Sequence, residues 1–460
     1  MTQEEKVIYM TTEPVNKLVC KMAVPTIISM LITSFYNMAD TYFVGKLNTQ
    51  STAAVGVVFS LMALIQALGF FFGHGSGNYI SRKLGAKEFE DASKMASIGF
   101  FSAFICGIFV MIFGLIFLKP LSILLGSTET ILPYTEKYLS VILFGAPFMV
   151  SSLVLNNQLR FQGSASSAMV GIVSGAVLNI ILDPILIFQC NMGITGAALA
   201  TVIGQLAGFI LLFIGTRKGE NIHIRWKNFK PSLYYYKEVV RGGIPSLCRQ
   251  GLASIATMCL NHMAGDFGDA AIAGMSIVSR ISMFANSALI GFGQGFQPVC
   301  GMNYGAKLYK RVQEAFWFCV KYAFLFLIAV AAAAYIFAPE LVSLFRKDDK
   351  EVVEIGMLAL RFQAVVFPLN AWIVLCNMML QSIGKAVRAS IVAAARQGLF
   401  FLPLILILPR FFGLTGIQIC QMISDIFTFI LAIPLGISVL KEMNKETKLH
   451  ESLMEQADGS

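Results

Sequence analysis

The strongest constraint on the fold is that the chain repeats itself. Gly85, Ala86 and Lys87 return as Gly305, Ala306 and Lys307, an offset of 305 − 85 = 220. At the same offset Pro25 returns as Pro245, Gly73 and Gly75 as Gly293 and Gly295, and Gly193 and Gly196 as Gly413 and Gly416. The repeat is set in 460 residues that are 56% hydrophobic and 13% charged, where a soluble protein carries about 25% charge. Apolar runs of about 20 residues, each long enough to cross a bilayer as a helix, recur from end to end. They are continuous, which argues against the alternating strands of a β-barrel. The expected fold is therefore two homologous membrane-embedded halves, an arrangement that holds a solute between the halves and exposes it to one side, then the other.

The apolar pattern predicts an all-α polytopic membrane protein of about twelve helices. They run 18–44, 51–77, 92–118, 136–159, 165–188 and 194–216, then 240–264, 270–298, 314–338, 352–380, 387–408 and 414–440. Residues 1–216 form a first lobe and 239–440 a second. A basic linker at 217–238 joins them, and 441–460 is a charged tail. The linker carries Trp226 and Tyr234 to Tyr236, which suit a lipid surface.

Lysine and arginine concentrate in alternate connections: Arg82, Lys83 and Lys87; the linker; Lys307, Lys310 and Arg311; Lys385 and Arg388; then Lys441 and beyond. The other connections hold mainly Lys46, Lys119, the group around Arg346 and Lys350, and Arg410. That asymmetry predicts a protein of the cytoplasmic membrane with both termini cytoplasmic. The net charge of +9 is thereby accounted for without a nucleic-acid partner. The first twenty residues are too polar for a cleavable signal peptide, so the first span is expected to direct insertion. Nine scattered cysteines, with no CxxC pair, read as small apolar core residues.

Glycines cluster in the second helix of each half, at 69, 73, 75 and 77 and again at 291, 293 and 295, as close helix packing in lipid requires. Neither a Walker A sequence nor an HExxH spacing occurs, which points away from ATP and from a bound metal. No catalytic constellation accompanies His74 or His262, which read as hydrogen-bonded packing residues, so no enzyme activity is expected.

Asp40, Asp183 and Asp425 lie within or near the ends of apolar helices. A charge there costs about 2.5–3.5 kcal/mol on insertion scales and marks an ion or proton path. Tyr36 and Asp40 are four residues apart and share a helix face, as do Asn179 and Asp183. Pro184 withholds a backbone donor beside Asp183, and Pro25 is expected to bend the first helix. The repeat supplies a control: Asp40 corresponds to Leu260 and Asp183 to Leu402, so the scaffold is duplicated and the acid pair is not. Asp425 corresponds to Gln205. It reads equally as a cavity contact or a satisfied interior group. Arg280, about ten residues into its helix, is a candidate to face the cavity, to bind an anionic group or to balance Asp425. The 38 Phe and 22 Met suit a pocket tolerant of many shapes.

These residues together resemble the multidrug and toxic compound extrusion (MATE) family. The resemblance covers nearly the whole chain. It rests on the two six-helix halves, Gly-Ala-Lys after the second and eighth helices, Pro25 with Asp40, and Asn179 with Asp183 and Pro184. The acid pair looks like the bacterial and archaeal DinF-type branch, and the fifth helix like the MepA-type drug pumps. The resemblance implies a V-shaped, two-lobed monomer that exports organic cations in exchange for H⁺ or Na⁺, with no other cofactor. It places Tyr36, Asp40, Asn179, Asp183 and Thr201 in the cation and proton network, and Ser60, Asn156 and Gln205 on the substrate-lining wall with Tyr36 and Asn179. The second lobe departs from other branches, because its seventh helix offers Asn261 and His262, its eighth Arg280, and its tenth no acid in its apolar stretch. A lipid-linked or polar-glycan flippase of the related superfamily is the alternative. It fits less well with twelve spans and a buried acid pair.

Overall fold

A computed structural model describes residues 2–219, 221–345 and 349–458. It is helical throughout, with no strand among the described residues. Arg346 and Lys347 of the weakly basic connection lie outside them. An N-terminal helix, α1 (Gln3–Thr12), is closed by a capping box between Thr2 and Glu5. The first half then contains α2 (Val15–Gly45), α3 (Thr49–Gly85), α4 (Phe89–Ile116), the short α5 (Leu118–Leu124), α6 (Leu132–Phe161), α7 (Ala165–Pro184) and α8 (Gly193–Arg217). The second half contains α9 (Leu233–Gly265), α10 (Asp269–Gly305), α11 (Tyr309–Ile336), the short α12 (Ala338–Ser343), α13 (Lys350–Val366), α14 (Leu369–Ser382), α15 (Ala386–Ala394), α16 (Phe401–Phe412) and α17 (Leu414–Asp458).

Among the described residues ten helices are long and apolar enough to cross a membrane, and α13 with α14 makes one further span broken by a 58° bend. The bend falls at Pro368, so the expected continuous helix over 352–380 is two pieces. The 33-residue α9 is not among those spans. Arg241, Arg249 and Gln250 make it more polar than they are, and it packs along α3 with Ile255 and Met258 exposed. Two breaks have a common form. A π-helical turn, Ile185–Gln189, follows Pro184, and a second, Ala395–Leu399, separates α15 from α16.

The duplicated Gly-Ala-Lys explains itself here. Lys87 and Lys307 both take φ of +60°. Glu88 N–H donates to the Lys83 carbonyl at 2.8 Å and Lys87 N–H to the Leu84 carbonyl at 3.0 Å, and the same pair recurs from Leu308 to Asn303 and Lys307 to Tyr304. Each is a Schellman end in which lysine, not glycine, takes the left-handed position. The glycines serve a different purpose. A Cβ on Gly85 would overlap the Met302 carbonyl, and one on Gly305 would overlap the Arg82 carbonyl. The last turns of α3 and α10 therefore cross backbone to backbone, joining the halves at their basic end. Arg82 reinforces the crossing by donating to the Ser382 carbonyl at 3.0 Å and pairing with Glu238 at 3.4 Å.

Two of the three apolar cores lie within single halves. One runs from Val44 to Leu212 and the other from Ala256 to Cys420. The third gathers the starts of α2 and α4 with α10, α11, α14 and α17, and buries the seam. The linker aromatics pack on the first half on one side while Trp226 and Tyr234 stay exposed on the other. Tyr235 donates to Asp91 at 2.8 Å, Tyr236 bonds Ser102 at 3.0 Å, and the Trp226 ring meets Phe101 edge-on at 4.7 Å. Tyr234 to Tyr236 belong to the first turn of α9.

Candidate functional site

A cavity lies between α2, α6, α7 and α8 of the first half, edged by Gln66 and Phe70 of α3 and Gln294 of α10. Helix spacing builds it. Gly171 and Gly175 on α7 face Gly204 and Gly208 on α8, and a Cβ at Gly175 would come within 2.6 Å of the Gly204 carbonyl. Close approach along this seam sets side chains from both helices on one polar wall. Tyr36, Asn156, Asn179, Thr201 and Gln205 line the cavity, as do Gln66, Arg160 and Gln294. Asn156 is oriented by donating to the Ala168 carbonyl at 3.0 Å, and Asn179 by donating to the Thr201 hydroxyl at 3.3 Å.

Asp40 and Asp183 lie outside the cavity lining, within electrostatic reach of each other. Asp183 occupies the last turn of α7, where Pro184 and the π turn redirect the chain. Its side chain is 0% exposed, and neither carboxylate oxygen has a hydrogen-bond partner. Asp40 Oδ1, Asn179 Oδ1 and the Tyr138 hydroxyl are likewise buried without partners. The two carboxylates act on each other, and Tyr36 and Tyr138 face both. A buried polar atom without a partner costs about 1–3 kcal/mol, and an uncompensated charge costs more. A cluster of carboxylate, amide and hydroxyl oxygens gathered this way can hold a proton or a hard cation with oxygen ligands. Among the described residues no group of three His, Cys, Asp or Glu side chains is arranged for a metal ion.

Three expectations need correction. Ser60 is not on the cavity wall, since its hydroxyl donates to the Val57 carbonyl of its own helix at 2.8 Å. Arg280 is exposed on α10 and does not line the cavity. Nor does it balance Asp425. Arg396, on the second π turn, does so with Nε and Nη2 at 2.8 and 3.2 Å. Gln421 adds a bond to Asp425 at 2.7 Å, and Ser424 ties the Arg396 carbonyl at 2.6 Å, so Asp425 is a satisfied interior group. Pro25 lies buried inside α2, which runs unbroken through it, with the Ser29 hydroxyl bonded to its carbonyl at 2.9 Å.

Sequence reasoning missed Tyr138 and Arg160. Each falls at an end of the predicted 136–159 helix, where Tyr reads as an interfacial ring and Arg as a snorkelling cation. Neither position carries a motif. His74 fits its packing reading, stacked on Phe70 and facing the Phe70 carbonyl at 3.2 Å.

Helices able to span a bilayer, two halves crossing at glycines and a polar-walled cavity define a polytopic membrane transporter. The MatE family model matches residues 25–185 and 245–407. The chain therefore belongs to the MatE family of transporters. It is 29% identical over 426 residues to the multidrug export protein MepA of Staphylococcus haemolyticus, covering 92% of this chain and 93% of that one. A solved MATE transporter in complex with MaL6 superposes with a TM-score of 0.90 at 28% identity, covering 95% of this chain and 99% of the other. A multidrug resistance MATE transporter in an outward-facing conformation superposes with a TM-score of 0.89 at 28% identity, over 95% and 98% of the two chains.

Proposed function

We propose that this transporter is a secondary antiporter that exports organic cations and other amphipathic solutes across the cytoplasmic membrane, driven by inward movement of H⁺ or Na⁺ at Asp40 and Asp183. One observation carries the reading: a fully buried carboxylate with two unpartnered oxygens, beside a second carboxylate, backs the polar wall of a cavity between the membrane-spanning helices. A bound proton or Na⁺ satisfies these oxygens, and its loss restores two like charges in a low-dielectric site. Asn179, Thr201 and Tyr36 adjust to that change and pass it to the cavity wall. The export of multiple drugs by the MepA relatives and the aromatic and Met content support the solute class. Both termini are assigned to the cytoplasm by the basic connections, and the monomer is the working unit, without a further cofactor. The Gly85 and Gly305 crossing is then the cytoplasmic seal, closed in this state.

The test is solute efflux from proteoliposomes under a pH gradient alone and a Na⁺ gradient alone. Wild type, Asp40→Asn and Asp183→Asn are compared. Efflux under one gradient and its loss in both variants identifies the ion and the site. Full gradient-driven transport by Asp183→Asn overturns the proposal.

A further inference from the structure

We propose that Arg160 and Arg249 form an oxyanion-binding subsite at the basic end of the cavity, where a carboxylate or phosphate group bridges the two halves. The inference rests on reading the cavity as the transport site.

Arg160 closes the last turn of α6, is 1% exposed and lines the cavity. Its Nη2 donates to Asn157 at 2.6 Å and lies 3.4 Å from His74 Nε2, while its buried Nε has no partner. Arg249 comes from α9 of the opposite half and donates to Asn377 at 3.2 Å. The two guanidinium charges act on each other and on His74. Their direct partners are neutral amides in matching places, since 377 − 157 = 220. No carboxylate joins either one among the described residues. Arg396, Arg82 and Arg388 differ in being paired with Asp425, Glu238 and Glu442; Arg311 and Arg361 also bond neutral acceptors, but neither lines the cavity.

Two cations within electrostatic reach of each other, Arg160 buried and Arg249 half-buried, are mutually repulsive without an anion, and each retains directional donors suited to bidentate recognition of an oxyanion. The unpartnered Nε shows that the donor set is incomplete without one. Because one arginine comes from each half, the anion is held fully only while the halves are joined at this end. The carboxylates lie behind the cavity wall, towards the opposite end of α6, where Tyr138 faces them. Tyr138 and Arg160 are 160 − 138 = 22 residues apart on α6, roughly 33 Å of helix. The surroundings of the cavity are therefore charge-polarised, with acids towards one end and guanidinium groups towards the other. The cavity takes amphiphiles that carry an oxyanion as well as cations.

The test compares two dyes that differ by one group: rhodamine 123, a methyl-ester cation, and rhodamine 110, the same ring system with a free carboxylate. Binding to the purified full chain is titrated by fluorescence polarisation for wild type, Arg160→Gln and Arg249→Gln. The acid is expected to bind about tenfold or more weakly to each variant, as for a lost charge-assisted contact, while ester affinity stays within about twofold. Arg249→Lys, which keeps the charge, regains part of the loss and covers the case in which Arg160→Gln fails to fold. Equal weakening of both dyes, or no weakening of the acid, overturns the subsite. Failure of wild type to bind or export the ester overturns the transport reading instead. Repeating the titration in nanodiscs of phosphatidylcholine, with and without phosphatidylglycerol, separates the sources. Competition by phosphatidylglycerol that needs both arginines assigns a lipid headgroup phosphate, and its absence assigns the solute's own anion.

Discussion

Asp183 and Asp425 are buried acids at comparable depth in the two halves, 0% and 1% exposed, and they have opposite surroundings. Asp425 receives two bonds from Arg396 and one from Gln421. Asp183 receives none. Position 425 corresponds to Gln205, a cavity-lining residue of the first half, so the repeat gives the same place a neutral amide on one side and a locked ion pair on the other. A charge that folding needs is fully paired, because breaking a buried pair leaves an uncompensated ion. A charge that must change state is left with free valences. On the proposed reading, the difference separates scaffold from machinery within one duplicated fold.

The comparison is broken most severely at the unpartnered acids. Asp183→Asn and Asp40→Asn are expected to reduce gradient-driven efflux to the level of protein-free liposomes. Both proteins should keep a melting temperature equal to or above that of wild type, since each substitution removes a buried charge that has no partner. A large fall in melting temperature for either would place that acid with Asp425.

Asp425→Asn should do the reverse. Leaving Arg396 buried without its carboxylate is expected to cost about 3–5 kcal/mol, read as a lower melting temperature and lower yield, with efflux per folded molecule retained. The double variant Arg396→Met with Asp425→Leu should recover most of the loss, because replacing both ions by apolar groups of similar volume is often neutral or better. Failure of the double variant to recover would show that the pair does more than fill its site.

A smaller effect is expected where the comparison concerns a neutral side chain. Asn179→Ala removes one bond to Thr201, worth about 0.5–1.5 kcal/mol, and should weaken the apparent affinity for the coupling ion about fivefold with the maximal rate little changed. Unchanged affinity would remove Asn179 from the ion network.

The same contrast shows what the residues disclosed. The repeated glycines and prolines, the spacing of Tyr36 with Asp40 and of Asn179 with Asp183, and the absence of their counterparts at Leu260 and Leu402 made the membrane fold and the first-half acids legible from sequence. These are local spacings within one helix or identities at a fixed offset. Partners on different helices were not legible. Arg396 and Asp425 meet across 29 residues and a π turn whose position no local signal marks, which is why Arg280 seemed as good a partner. Arg160 sits at a helix end, where position alone suggests a solvated cation, and only the packing of α6 against α3 buries it. The Gly-Ala-Lys repeat was legible as a repeat but not as a crossing, since the clash that excludes a Cβ comes from the other half.

A third buried charge, outside the membrane, tests whether neutral acceptors alone can hold an ion in this fold. Lys6 on α1 donates to the Ser164 hydroxyl at 2.5 Å and to Asn221 Oδ1 at 2.7 Å, fastening α1 to the first half. Asn303 bonds the Met10 carbonyl at 3.1 Å and Arg311 the Glu13 carbonyl at 2.6 Å, fastening the same segment to the second. Burial lowers the Lys6 amine from 10.5 to about 8, with no carboxylate to restore it. Between those two values the unfolded chain binds more protons than the folded one, so this group makes stability rise with pH across the window. Below about pH 8 the full cost of the buried charge is present, and above 10.5 it is gone. Lys6→Met removes the titration. The melting-temperature difference between wild type and this variant should therefore shift in favour of wild type as pH rises from 8 towards 10.5, by no more than one proton's worth, about 1.4 kcal/mol per pH unit. A difference independent of pH would mean that a hydroxyl and an amide stabilise a buried cation as well as a carboxylate does. The missing partners of Asp183 would then count for less than the contrast with Asp425 implies.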